Sequence, residues 1–115
     1  MKRIFDRKIS DRTIRGYNAE EIKSWLSNVK EIGSFKYYYY PPGSKFPADS
    51  KSLKNQPTKE VLSFLNTHFS ESSNLFVEIQ RKVYRSGKQE MILRGINLDG
   101  EIAKIAVLNF RKSLK

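Results

Sequence analysis

Four consecutive tyrosines, Tyr37–Tyr40, lie among lysines in the first half of this chain. Lysine and arginine neutralise phosphate groups, and the face of a tyrosine ring stacks on an unpaired base. The predicted polyanion-binding set therefore joins the tyrosine run to the basic residues around it in sequence. Its members are Lys2, Arg3, Arg7, Lys8, Arg12, Arg15, Lys36, Tyr37, Tyr38, Tyr39, Tyr40, Lys45, Lys51 and Lys54. The basic members are expected to form one continuous patch after folding.

Catalytic chemistry has few candidate residues in this sequence. The chain has no cysteine, and its single histidine is His68, so thiolate zinc sites and cysteine nucleophiles are excluded. The carboxylates show no metal-ligand spacing, no glycine-rich phosphate loop occurs, and no spacing supports a Ser-His-Asp arrangement. His68 is expected to be a structural histidine near a helix end. We therefore predict a binding protein rather than an enzyme, with no catalytic residue, metal or cofactor.

One metal-free chemistry stays open. Small ribonucleases cleave RNA with arginine, lysine, tyrosine and histidine side chains, and the 2′-hydroxyl of the RNA is the nucleophile. Side chains of this kind follow one another in the C-terminal third, near Tyr84. They define a candidate anion site: Arg81, Arg85, Lys88 and Arg94. If the protein is an enzyme, a metal-independent ribonuclease is the expected class.

The formal net charge is +10 on 115 residues, which is more than solubility requires. This charge favours a nucleic acid as partner, then an acidic surface of a host protein or nucleoprotein complex. A third interpretation is a solvated basic shell without a polyanionic partner. No apolar run approaches the roughly 20 residues of a membrane span. The charged start of the chain, residues 1–6, does not resemble a signal peptide. A cytoplasmic protein without membrane association is expected.

The elements that must position these residues are predicted from capping and periodicity within one domain, residues 1–115. Asn18 and Glu21 form a capping pair for a helix over 19–31, with Gly33 placed to end it. A second helix starts at Thr58 and ends by residue 70. Their apolar stripes recur at helical spacing. The stripes are Ile22, Trp25, Leu26 and Val29 in the first helix, and Val61, Leu62, Leu65 and Phe69 in the second.

The remaining segments are predicted as strands and one long loop. Residues 35–40 are a strand by aromatic propensity, and residues 1–17 are a basic arm or an edge strand. All four prolines lie in 41–57, which is predicted to be a loop. Residues 75–110 form a three-stranded meander with turns at 86–87 and 99–100.

Two-residue turns at these places define a register for the meander. The second turn sets Arg94 opposite Ile105, and the first sets Ile79 beside Arg94. Arg94 then lies inside an apolar face and is expected to pair with an acidic helix residue. The helices are expected to pack on that face, whose apolar members are Leu75, Val77, Ile79, Ile92, Ile96, Leu98, Ile105 and Val107.

The predicted fold class is α+β, with two helices packed on one face of a four- to five-stranded, mainly antiparallel sheet. The order of elements, a short basic strand, two helices and three antiparallel strands, resembles the RelE-type toxins. The tyrosine-rich strand and the 41–57 loop depart from that arrangement, and no family residue is carried over. The resemblance implies ribonuclease activity as one alternative function.

The function expected from the sequence is binding of single-stranded or unpaired DNA or RNA through the basic and tyrosine-rich set. A second alternative is a phage or mobile-element inhibitor that occupies a host protein complex. Salt-dependent oligonucleotide binding, a stoichiometric protein complex and metal-free RNA cleavage distinguish the three functions.

Overall fold

The computed structural model describes residues 11–15, 17–69 and 75–111. These residues form two helices and a six-stranded antiparallel sheet, so the α+β class and the C-terminal meander are confirmed. The sheet order is β1-β4-β5-β6-β2-β3. In chain order the elements are β1 (Asp11–Arg15), α1 (Ala19–Trp25), β2 (Glu31–Tyr39), β3 (Asp49–Pro57), α2 (Thr58–Phe69), β4 (Phe76–Val83), β5 (Lys88–Ile96) and β6 (Ile102–Arg111).

Strand β3 corrects the prediction of a loop over 41–57 and brings the sheet to six strands. Residues 49–57 pair with β2 in antiparallel register, with Phe35 opposite Leu53 and Tyr37 opposite Lys51. Nearly all residues of β3 are exposed and polar. The sequence of this strand therefore lacks the alternation of apolar and polar residues by which a strand is predicted. Backbone pairing with β2, whose other edge pairs with β6, holds the strand in place. Only the segment between β2 and β3 remains a loop.

The helices start where the sequence predicts, but α1 ends early. The Asn18 side chain accepts a hydrogen bond from the Glu21 backbone N–H at 3.0 Å, which confirms the predicted cap. Helix α1 ends at Trp25 rather than near residue 31. Asn28 adopts a left-handed conformation with φ of 70° just beyond the helix, so the chain turns there and not at Gly33.

The register of the meander is confirmed on one side and shifted by one residue on the other. Arg94 lies opposite Ile105, as predicted. The β5–β6 turn, however, has three residues rather than two, since the Asn97 N–H donates to the Glu101 carbonyl at 2.9 Å, and the register shift between Gly95 and Ile96 restores the predicted pairing. Across β4 and β5, however, Arg94 pairs with Glu78 instead of Ile79. The β4–β5 turn has three residues rather than two, since the Tyr84 N–H donates to the Lys88 carbonyl at 2.9 Å. A one-residue slip reverses the faces of a strand relative to its neighbour.

This slip decides which side of the sheet is the core. We call the buried side the core face, and its members are Phe35, Tyr37, Val77, Ile79, Met91, Leu93, Ala106, Leu108 and Phe110. Helix α2 packs on it, because the Phe64 ring centroid lies 5.1 Å from that of Phe35 and 4.8 Å from that of Tyr37. The predicted apolar face is therefore wrong for β5 and β6. Their residues Ile92, Arg94, Ile96, Ile105 and Val107 occupy the opposite side.

The turn between β4 and β5 gives a first testable prediction. Gly87 has φ of 96°, a region in which a side chain costs about 1–2 kcal/mol. Gly87→Ala is therefore expected to lower the free energy of unfolding by about that amount in urea denaturation. Ser86→Ala, in the same turn, is the matched control. It removes only a long, exposed hydrogen bond, 3.5 Å from the Lys88 N–H to Ser86 Oγ, and should change stability by less than about 0.5 kcal/mol. Equal losses in both variants would contradict the turn geometry.

Candidate functional site

The side of the sheet opposite the core face is strongly basic. The strand register and the two-residue alternation place six cations there within β2–β6. Two carboxylates, Glu78 and Glu90, share this side. We call this surface the basic face, and its cations are Lys36, Lys54, Lys82, Lys88, Arg94 and Arg111.

Both carboxylates of the basic face are held by neighbouring cations. Glu90 lies 3.4 Å from Lys82, and Glu78 lies 3.8 Å from Arg94, which also donates a hydrogen bond to Gln80 at 3.2 Å. The acidic partner of Arg94 is thus a strand residue rather than the predicted helix residue, because Arg94 does not face the core. Three further cations, Lys36, Lys54 and Lys88, are exposed, so the face keeps a net positive charge.

The tyrosine run divides between the two sides of the sheet. Tyr37 is 7% exposed and packs on Phe64 from the core face. Tyr38 lies on the basic face opposite Ile105 and is half-buried. Tyr39 is on the side of Tyr37 but 39% exposed at the end of β2. Only Tyr38 thus combines partial exposure with a place on β2 among the cations of the basic face.

The predicted binding residues are only partly brought together. Lys36, Tyr38 and Lys54 share the basic face, whereas Lys51 lies on the other side. Arg12 and Arg15 belong to β1, an edge strand about 24 Å from β3 across five strand spacings. These two arginines of the arm and the β3 lysines are therefore at opposite edges of the sheet, and the strands between them carry the other cations of the basic face. Four members lie outside the described residues: Lys2, Arg3, Arg7 and Lys8.

The candidate anion site does not assemble as a group of four. Lys88 and Arg94 lie on the basic face, but the Arg81 guanidinium lies 4.2 Å from the centroid of the Trp25 ring, on the core side of β4. Arg85 is in the exposed turn after β4. Sequence reasoning also missed Lys82 and Arg111 as members of the basic face. The alternation of each strand would have found them, once the three-residue turn was known.

An open depression of about 620 Å³ lies at one end of the basic face. Three cations line it, Lys30, Lys88 and Arg111, against one carboxylate, Glu31. Arg111 also donates to the Ser86 carbonyl at 2.7 Å, which fixes the guanidinium near the β4–β5 turn. The positive surface thus extends from the middle of β2 to the ends of β5 and β6.

His68 belongs to a separate cluster on the core side. Its ring is stacked on Phe64 with a centroid distance of 4.1 Å, and the Tyr37 ring lies 5.2 Å away. Lys104 Nζ donates to the His68 carbonyl at 3.0 Å near the end of α2. Burial lowers the pKa of His68, and the charges of Lys104 and Lys51 lower it further. The neutral form of the ring is therefore favoured in the folded protein.

This histidine makes folding pH-dependent in a predictable direction. Its folded-state pKa is lower than the unfolded value of about 6.5, so the unfolded chain binds the proton more readily. The associated stability is complete above about pH 6.5 and is lost as the pH falls through the folded pKa. Between pH 7 and pH 5, wild type should lose more unfolding free energy than His68→Gln. Parallel urea midpoints over this range would contradict the described cluster.

Comparisons with known proteins add no assignment. No family model matches the chain, no curated protein matches it, and no solved structure matches it. Within the described ranges, no group of three or more histidine or acidic residues could hold a metal ion. No described helix is long and apolar enough to cross a membrane.

Proposed function

We propose that the protein binds single-stranded or unpaired nucleic acid across the basic face. The observation that carries the proposal is the register, which gathers Lys36, Lys54 and Lys88 on one side of the sheet together with Tyr38. Exposed lysines supply charge for phosphates, and a partly exposed tyrosine supplies a stacking surface.

The apolar residues among these cations favour a nucleic acid over other polyanions. Ile105 and Val107 of β6 lie partly exposed on the same face, between Lys36 of β2 and Arg94 of β5. Unpaired bases have apolar faces that contact such side chains, whereas an acidic protein segment requires mainly charge. A duplex keeps its bases stacked inside, so it would use the lysines without the aromatic surface.

Salt-dependent binding of a labelled single-stranded oligonucleotide tests this function by fluorescence anisotropy. If about four cations neutralise phosphates, the logarithm of the binding constant should fall with the logarithm of salt concentration with a slope near −3. A duplex of the same length and polyglutamate serve as competitors, and both should compete more weakly.

Three outcomes separate the proposal from its alternatives. Absence of oligonucleotide binding at low salt would overturn it. Stronger competition by polyglutamate than by the oligonucleotide would favour an acidic protein partner and hence the inhibitor function. Cleaved RNA after incubation in metal-free buffer would favour a ribonuclease over a binding protein.

A further inference from the structure

A pocket lies where the 41–48 loop meets the β5–β6 turn, at the end of the sheet away from the basic depression. Its volume is about 440 Å³, within the range of small-molecule sites. The lining brings together two residues of the predicted binding set, Tyr40 and Lys45. It consists of Tyr40, Gly43, Ser44, Lys45, Gly100, Glu101 and Ile102.

The pocket has apolar side chains on its walls and one carboxylate, that of Glu101, whose position is fixed by hydrogen bonds. Tyr40 and Ile102 supply apolar surface, and Ile102 is 39% exposed. Glu101 Oε1 accepts hydrogen bonds from the Gly43 backbone N–H and from Asn97 Nδ2, both at 3.3 Å. A carboxylate has about four acceptor sites, so Glu101 has capacity beyond these two bonds. Lys45 is an exposed cation in the same lining.

The chain direction connects this pocket to the basic face. Tyr40 follows β2 directly, two residues after Tyr38, and its backbone N–H donates to the Ala103 carbonyl at 2.8 Å. The pairing of β2 with β6 therefore continues to Tyr40. Two residues in an extended chain span about 7 Å, which is close to the separation of neighbouring bases in an extended single strand.

We propose that this pocket binds one unpaired nucleobase that carries an exocyclic amino group, from a strand held on the basic face. This inference rests on the proposed function. A carboxylate accepts a hydrogen bond from the amino group of cytosine, and adenine and guanine also carry amino groups. Uracil and thymine present a carbonyl oxygen at the position of the cytosine amino group, and this oxygen and the carboxylate repel each other. Their single donor on that edge, N3–H, lies between two carbonyl oxygens, so it is a poorer partner for the carboxylate than an amino group. The pocket therefore distinguishes bases, whereas the basic face does not.

Glu101→Gln tests the inference by a change of base preference. The glutamine carbonyl oxygen can keep the hydrogen bonds from Gly43 and Asn97. The glutamine NH2 group replaces the second carboxylate oxygen, so a donor stands where the carboxylate had an acceptor. The probes are an oligodeoxycytidylate and an oligodeoxyuridylate of about twelve nucleotides each. Wild type is expected to bind the cytidylate about tenfold more tightly. In Glu101→Gln this ratio should fall to about one or below, because the amide donates to the uracil carbonyl.

A variant of the basic face distinguishes failure of the pocket inference from failure of the proposed function. Lys36→Glu should weaken binding of both probes and leave their ratio unchanged. If Glu101→Gln keeps the wild-type ratio, or if wild type binds both probes equally, the pocket inference is overturned while the proposed function stands. If wild type binds neither probe, the proposed function fails and the pocket inference fails with it.

A second pocket variant tests base binding without changing the hydrogen bonds that Glu101 makes to the 41–48 loop. Glu101→Gln is close to isosteric, and an unchanged melting curve confirms that it folds. Ile102→Ala shortens a partly exposed apolar side chain of the pocket and removes no hydrogen bond of the Glu101 carboxylate. It is expected to lower affinity for the cytidylate several-fold by reducing contact with the base. An unchanged affinity in Ile102→Ala would also count against the pocket.

Discussion

Charge reversal of two basic-face lysines, Lys36→Glu with Lys54→Glu, is expected to weaken oligonucleotide binding about a hundredfold at low salt. Each reversal removes a cation from the phosphate backbone and adds a repelling charge, at about tenfold per residue. The salt slope should become shallower by about one or two. Both side chains are exposed, so the free energy of unfolding should change little.

The matched control is Lys23→Glu with Lys59→Glu. These lysines are exposed on α1 and α2 and change the net charge of the protein by the same amount. Only the general field of the protein should differ, so a loss of a few-fold is expected. Equal losses in the two double variants would show that net charge, and not the basic face, determines binding.

Tyr38→Ala is expected to lower affinity by about 5- to 150-fold, which corresponds to stacking of one base at 1–3 kcal/mol. The loss should be nearly independent of salt, because stacking does not release counterions. Tyr39→Ala is the control, since Tyr39 lies on the other side of the sheet and is also partly exposed. Melting curves must first confirm that both variants fold. Wild-type affinity in folded Tyr38→Ala would contradict the stacking role.

The sequence predicted those parts of the fold that local signals determine. Asn18 caps α1, Pro57 precedes the start of α2, and Gly100 lies with a positive φ in the turn between β5 and β6. Each of these features depends on a few neighbouring residues with strong conformational preferences. The α+β class and the meander followed from them.

The parts that the sequence did not predict depend on tertiary pairing. Strand β3 is polar and exposed, and it forms because β2 offers an edge for backbone hydrogen bonds. The β4 register depends on whether the turn has two or three residues, which the Ser86-Gly87 pair does not specify. That single residue moved Arg94 from the expected core to the basic face, where Lys82 lies on the same side of the sheet.

Methyl NMR tests the central claim most directly, because neighbouring residues of one strand report on opposite sides of the sheet. Ile105 and Val107 lie partly exposed on the basic face, while Leu93 and Ala106 are buried on the core face. On titration with a single-stranded oligonucleotide at low salt, the methyl groups of Ile105 and Val107 should show large chemical-shift changes, and the core-face methyl groups should stay nearly unchanged. Larger changes at Leu93 and Ala106, or none at Ile105 and Val107 under saturating binding, would contradict the account.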